Sequence, residues 1–428
     1  MNVKKLILCI PTYNTPYRIK DILARHVNTL KKLGIDIYVY DSSDNADTEE
    51  VVNEYKAVYE GLIYAKVDST VHSNRKVYNL YKQLSCDERY DYIWVSSDHF
   101  GWTETLFANI QNKLSEDYDA IIVNKRDIEK IGDKIYTDYN ELFLECAWHM
   151  TMYGATILKR GTMLKDVEWE RLEKQYLIPE RLNHSHVALY FEQLCRLPQF
   201  RVFHMSFMIN DLVTVGGRIG ATWVKQVFDI WCDYWENMIC ALPSCYKHKE
   251  EVVRSHGLCA GVFVYKSLLY LRIDGILNTQ VYFKYRGHWK KYTDVKEYKI
   301  FLLSIIPSRI LKLYELRKIK CQKKKRTKEL IEFCKKYKKL YIYGCGSIAK
   351  RYAHNMEELQ IEYDGHVVSE KKVSDEKFNN RPIIEMNEEV MNDDNVGIII
   401  ALNSGNFNEV MWDKGLIRIK ERVFSEYL

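Results

Sequence analysis

At 428 residues the chain exceeds what a single hydrophobic core ordinarily serves, so two or three domains are expected. With 47% hydrophobic and 28% charged residues it is neither disordered nor fibrous. A formal charge of +5 is mild, its basic residues gather between Arg309 and Lys339, and no nucleic-acid recognition motif accompanies them.

The 11 cysteines form no CxxC pair and no Cys/His zinc spacing, which points to reduced thiols in a cytoplasmic protein. The opening MNVKKLILCIPTYN holds an apolar run of about six residues, short of the ~7–15 of a secretory signal, and reads as a first strand. No apolar run reaches the ~18–20 residues of a transmembrane helix, so a soluble or peripheral protein is expected.

Leu6 to Ile10 predicts that first strand. Thr15 to Gly34 carries Ile19, Ile22, Leu23, Val27 and Leu30 at helical spacing, with Gly34 as the stop. A strand follows at Ile35 to Tyr40, a helix at Asp47 to Tyr59, a strand at Leu62 to Val67, a helix at Val77 to Leu84 and a strand at Tyr92 to Val95. Such alternation makes βαβ units and a mainly parallel sheet with helices on both faces, whose ligands lie at the carboxyl ends of the strands. Further strands are expected at Ala120 to Asn124, Ile135 to Thr137 and Ala155 to Lys159, and helices at Glu168 to Tyr176, Val187 to Leu197 and Trp223 to Leu242. Met150 to Ile157 reads as strand and turn, with Gly154 permitting close backbone approach. From Glu250 to Lys336 the pattern is helical with a bend at Pro307, and at Leu340 the βαβ rhythm restarts. The expected domains are 1–242, a basic helical linker region 243–336, and a smaller α/β domain 337–428.

Three strand ends of the first domain fall on one sheet edge: Pro11-Thr12-Tyr13-Asn14, Asp41-Ser42-Ser43-Asp44 and Ser96-Ser97-Asp98-His99. A nucleotide can lie across them. This ordered set, I-P-T-Y-N, an acid after the second strand, then a DxD-like S-S-D, resembles family 2 glycosyltransferases of the GT-A fold over roughly residues 1–242. The resemblance implies inverting, hexosyltransferase-type transfer from a nucleotide-diphosphate sugar, here a UDP-sugar, to an acceptor hydroxyl, with a divalent metal. It implies that Pro11, Thr12, Tyr13, Asn14 and Ser43 cradle the nucleoside and that Asp41 accepts from the uracil imide. Ser96, Ser97 and Asp98 would line the diphosphate, and Asp98, supplemented by His99, would hold Mn²⁺ or Mg²⁺. Ser96 stands where the family has its first acid. Asn74 and Arg75 fall on a donor-contacting segment, a surface ion pair being the other reading of Arg75.

The family's acceptor base, an aspartate opening a helix, corresponds to His186 in Ser185-His186-Val187-Ala188-Leu189, a pattern similar to that of histidine-bearing capsule-type transferases. Imidazole titrates near working pH and serves as a base. Glu180, His184 and Asp166 compete for the role, and a plain helix-start residue is the other reading of His186. Gly216-Gly217-Arg218 reads as a loop that either folds over the diphosphate or merely connects.

In the last domain, YIYGCGSIAK resembles the Rossmann-like nucleotide-binding modules found beside sugar-modifying enzymes. Gly344 and Gly346 would seat a phosphate and Asp364 a ribose, of NAD or of UDP, with a regulatory or assembly role equally open. Apolar residues from Phe301 to Leu313 beside the basic run read either as a face for an anionic membrane surface or as a solvated link. The expected protein is thus a cytoplasmic, peripherally membrane-associated transferase of surface polysaccharide synthesis, acting on a saccharide or lipid-linked oligosaccharide, with homo-oligomerisation open. An NAD-dependent sugar-modifying enzyme and a non-catalytic nucleotide- or saccharide-binding protein are the alternatives.

Overall fold

The computed structural model describes residues 5–99, 102–123, 132–181, 183–206, 222–369, 376–402, 407, 410–411 and 415–425. The chain divides into two compact units, Met1–Ser308 and Arg309–Leu428.

In the first unit, β1 (Leu6–Thr12), α1 (Pro16–Leu33), β2 (Asp36–Asp41), α2 (Asp47–Lys56), β3 (Leu62–Lys66), α3 (Ser73–Ser85) and β4 (Tyr92–Val95) alternate as their periodicities require. Pro16 opens α1 with its fixed φ, and Gly34 closes it in the left-handed conformation at φ 67°. Then follow α4 (Glu104–Leu114), β5 (Ala120–Val123), β6 (Lys134–Tyr136), α5 (Tyr139–Met150), β7 (Thr156–Lys159), α6 (Arg160–Met163), α7 (Trp169–Tyr176), α8 (Ser185–Leu194) and β8 (Val202–Met205). The sequence reading missed α4 and α5, although each announces itself by a cap. Thr103 Oγ1 accepts from Leu106 N, and the Asp138 carboxylate accepts from Asn140 N and Glu141 N. Met150 ends α5, so the strand expected from that residue starts only at Thr156.

The sheet runs β3-β2-β1-β4-β7-β5-β8-β6. Neighbours from β3 to β4 are parallel, β7 is antiparallel to both β4 and β5, β8 is parallel to β5, and β6 is antiparallel to β8. It is the mixed, mainly parallel α/β sheet that the pattern predicts. Leu6, Leu8 and Ile10 pack with Ile19, Ile22 and Leu23 of α1 and Phe107 and Ile110 of α4, each burial contributing roughly 1.5–3 kcal/mol. The alternate Ile7 and Cys9 are equally buried, so both faces are covered.

Residues 222–241, expected as one amphipathic helix, form a 3₁₀ turn, a π-helical turn over Asp229–Tyr234 and then α9 (Trp235–Ala241). Beyond the expected boundary at Leu242, α10 (Lys249–Cys259), α11 (Tyr265–Ile273), α12 (Thr279–Lys284) and α13 (Glu297–Ile305) still belong to the first unit. Tyr246 Oη donates to Phe191 O (2.5 Å), Trp235 Nε1 donates to Val252 O (3.3 Å), and Lys284 pairs with Asp229 and Asp233. The expected linker region is therefore split: its first part is buried structure of the first unit, and only the remainder lies in the second.

The second unit comprises α14 (Ser308–Cys334), β9 (Lys339–Tyr343), α15 (Ser347–Glu358), β10 (Gly365–Val368), β11 (Lys377–Phe378), β12 (Arg381–Glu385), α16 (Glu388–Asn392), β13 (Val396–Ile400) and β14 (Val423–Phe424). Its sheet order is β11-β12-β10-β9-β13-β14, parallel except for β11. Among the described residues, no helix is long and apolar enough to cross a membrane.

Candidate active site

From β1 the chain steps through β2 to β3 on one side and returns with β4 on the other. The edge between β1 and β4 is therefore a topological switch point, where the outgoing loops part and leave a crevice beyond the strand ends. Side chains from both loops meet there. Asp98 Oδ2 accepts from Thr12 Oγ1 (3.0 Å) and Thr15 Oγ1 (2.5 Å). Its Oδ1 lies 3.5 Å from Arg18 Nη1 and 3.5 Å from His99 Nε2. Arg18 Nη1 in turn donates to His99 Nε2 (2.8 Å). The Arg18 side chain, in the first turn of α1, is 5% exposed, and its Nε has no hydrogen-bond partner among the described residues. Ser96 is fully buried, with its Oγ likewise unpartnered.

A second buried cation stands alongside. Lys76 Nζ, from the first turn of α3, donates to Thr12 O (2.9 Å) and Ser42 Oγ (2.8 Å), which ties the ends of β1 and β2 together. Burial pulls its pKa down to about 8, against the opposing pull of Asp98 and Asp41.

Asp41 is completely buried, and its two oxygens are already engaged. Oδ1 accepts from Ser43 N (2.8 Å) and Ser43 Oγ (2.5 Å), and Oδ2 from Tyr64 Oη (2.9 Å) and Lys66 Nζ (3.3 Å). Four donors use the acceptor capacity of a carboxylate, so the uracil-imide contact expected of Asp41 has no free lone pair. Asp41 instead anchors Ser43, whose Oγ accepts from Asn14 N (2.8 Å) and holds Asn14 in the left-handed region at φ 52°. Tyr13 Oη and Asn14 Nδ2 both donate to Asp44, leaving the Tyr13 ring half exposed at the rim. Pro11 continues β1, and Ser97 Oγ accepts from His99 N (3.2 Å).

Asn74 faces the helix-opening turn rather than the strand ends. Its Oδ1 accepts from His184 N (3.0 Å) and Tyr153 Oη (3.3 Å), while its Nδ2 donates to Asn183 Oδ1 (3.1 Å). These bonds hold His184 at φ 65°, a conformation a non-glycine residue adopts only when its surroundings impose it. His186 follows at the start of α8. Its Nε2 lies 3.2 Å from Met150 O; because a carbonyl only accepts, Nε2 carries the hydrogen and the lone pair sits on Nδ1, which has no partner among the described residues. Burial lowers the His186 pKa to about 4; burial, with His256 and His186 beside it, also holds that of His184 well below the ordinary imidazole value. Glu180 lies exposed on a 3₁₀ turn, and Arg75 forms an ion pair with Glu173. Gly216, Gly217 and Arg218 lie outside the described residues.

Arg18, Lys76 and Thr15 escaped the sequence reading. The available signal was their position: Arg18 shares a helical face with Ile19, Ile22 and Leu23, and Lys76 one with Val77, Leu80 and Tyr81, where a solvated helix would carry no charge.

Whether Asp98 and His99 suit a divalent cation is decided by their donors. Mg²⁺ and Mn²⁺ want an open set of oxygen ligands. The Asp98 oxygens face two hydroxyls and a guanidinium, and the His99 lone pair is spent on Arg18. Among the described residues, no group of three or more His, Cys, Asp and Glu is arranged to hold a metal. The donor set as folded does not fit a divalent cation.

In the second unit, Gly344 takes φ 109° at the end of β9, where a Cβ would meet Leu402 Cδ2 at 3.1 Å and Ala401 O at 3.3 Å. Gly346 precedes α15, and a Cβ there would meet nothing. Asp364 does not join them. It directly precedes β10 at the amino edge of the sheet and accepts from Leu340 N (2.8 Å), one residue into β9, so register sets it at the edge opposite the glycine turn, away from the expected ribose contact.

No family model matches the chain, and no curated protein matches it. Residues 1–349 of S. aureus TarS in complex with UDP align at TM-score 0.38 and 13% identity, covering 73% of this chain and 91% of that one. The mannosyltransferase PcManGT from Pyrobaculum calidifontis, in complex with GDP-Man and Mn²⁺, aligns at TM-score 0.36 and 13% identity over 70% of this chain and 86% of that one. At these TM-scores the alignments carry no weight for the chemistry.

Proposed function

We propose that this chain is an inverting, hexosyltransferase-type glycosyltransferase of GT-A architecture. It moves a sugar from a UDP-sugar to a saccharide hydroxyl in surface polysaccharide synthesis. The observation that carries this reading is the pair of buried cations, Arg18 and Lys76, at the switch point between β1 and β4. Two buried cations beyond parallel strand ends, beside Asp98 and Asp41, suit a polyanionic nucleoside diphosphate, and their spare donors would stabilise the charge that grows on that group as it departs. The half-exposed Tyr13 ring offers a stacking face at the rim.

In the transfer, the acceptor oxygen bonds to the anomeric carbon as the bond from that carbon to the diphosphate oxygen breaks. The electron pair leaves with the nucleoside diphosphate. The acceptor proton passes to Nδ1 of His186, the nitrogen left free by the bond to Met150. An alcohol oxygen already bonding to carbon is strongly acidic, so an imidazole held at about 4 is basic enough at that stage. Asn74 is a positioning residue that fixes the His184 turn from which His186 projects.

The start of α14 exposes Ile310, Leu313, Tyr314, Leu316 and Ile319, each between 51% and 60% accessible, beside Lys312, Arg317, Lys318 and Lys320. That combination suits an anionic membrane surface on the cytoplasmic side, where lipid-linked acceptors reside. The test of function is incubation with UDP-sugars and a saccharide acceptor, following UDP release and product mass. Acceptor-dependent UDP release supports the assignment; UDP binding without turnover on any donor leaves a binding protein instead.

A further inference from the structure

We infer that this site works without a divalent cation, with the Arg18 guanidinium occupying the place between Asp98 and His99 that a metal would take. The inference rests on the reading of the crevice as a nucleotide-diphosphate site. Both residues expected to ligate a metal converge on one guanidinium. Arg18 Nη1 is 2.8 Å from His99 Nε2 and 3.5 Å from Asp98 Oδ1. An arginine nitrogen can only donate, so the imidazole lone pair is committed to it. The remaining Asp98 oxygen is committed to Thr12 and Thr15. Ser96 stands where a second carboxylate would be needed, and it offers a neutral hydroxyl.

The same geometry explains what replaces the metal. Arg18 is buried with Nε unpartnered, so one donor remains for an incoming oxygen. Lys76 has three N–H donors and two protein acceptors, Thr12 O and Ser42 Oγ, so it too keeps one in reserve. Asp98 is then a counter-ion that holds the guanidinium in place, and its contact with the diphosphate is indirect. As the bond to the anomeric carbon breaks, the departing phosphate oxygen gains charge against these fixed donors, which need no reorganisation.

The experiment is calorimetric titration of the full chain with UDP, and with GDP as a second probe, after EDTA treatment and again with Mn²⁺ in excess. The expected result is affinity equal within about twofold in the two buffers. Arg18→Gln should weaken it about 10–100-fold whether or not Mn²⁺ is present, and Arg18→Lys should restore part of the loss. Electron paramagnetic resonance of Mn²⁺ should show no ion taken up by protein and UDP beyond what UDP takes up alone. Binding that appears only with Mn²⁺ and is lost in Asp98→Asn overturns the inference while leaving the nucleotide reading intact. Failure of both nucleotides to bind in either buffer overturns that reading and the inference with it. The buffer comparison uses the unaltered chain, so a variant that folds poorly does not remove the test.

Discussion

The two units each present a βα turn at the carboxyl edge of a parallel sheet, yet they are furnished differently. In the first, the turns after β1, β2 and β4 carry Thr12, Asp41 and Asp98, with Arg18 and Lys76 threaded between them. In the second, the turn after β9 carries Gly344 and Gly346, and the buried His366 is held at Nδ1 by Gly344 O (3.0 Å) with burial lowering its pKa. The glycine turn matches a well-known sequence pattern, whereas the charged crevice matches only short fragments of one. A glycine turn is required by backbone geometry alone. Two buried cations have no such local cause and must be compensated by partners brought in from elsewhere in the fold.

The largest test of that contrast concerns turnover. His186→Ala is expected to lower kcat by about 10²–10⁴-fold while UDP affinity, measured calorimetrically, stays unchanged. A parallel loss of affinity would reassign His186 to packing.

Next comes stability. Asp98→Ala strands the buried Arg18 without its carboxylate and should cost about 3–5 kcal/mol in urea unfolding. In the second unit, Asp364→Ala removes one backbone hydrogen bond from an exposed residue and should cost about 1 kcal/mol. Equal losses would break the comparison.

A pH series gives a third test. Lys76 is charged below its depressed pKa of about 8, so UDP affinity should fall as pH rises through that value, by up to about tenfold per unit. Its contribution to stability has the opposite sign. The unfolded chain holds that proton up to the ordinary value of 10.5, so between about 8 and 10.5 it binds more protons than the folded chain, and this contribution rises with pH. Lys76→Met should flatten both dependences.

A last effect, confined to stability, is expected of Gly344→Ala, where φ of 109° and the contact with Leu402 predict a loss of about 1–3 kcal/mol, read in thermal unfolding, with UDP affinity untouched. A change in UDP affinity would show that the second unit takes part in the nucleotide site.

Much of the site's frame was legible. The apolar run from Leu6 and the run from Ile93 end in the polar turns that meet at the crevice, because a parallel sheet aligns strand ends on one edge. The contents of the crevice were less so. Asp98 was expected to hold a metal because the S-S-D run resembles the family's DxD, while Arg18, 80 positions earlier in the numbering (98 − 18), drew no reading at all. Asp41 looked available because nothing nearby in sequence shows that Tyr64 and Lys66 from β3 reach it. Asp364 stood at a suitable interval from the glycine turn, but the register of β10 against β9 puts it at the opposite edge.

The sequence by itself determined the alternation of strands and helices from Leu6 to Val95 and the restart at β9. Each follows from the sterics and hydrogen bonding of a few consecutive residues. Only the tertiary structure decided that β7 enters the sheet antiparallel between β4 and β5, that residues 243–308 belong to the first unit, and that Arg18 rather than open space lies between Asp98 and His99. Those outcomes depend on groups far apart along the chain, Thr12 and Asp98 being 86 positions apart, and a buried charge settles only where the whole fold supplies its partner.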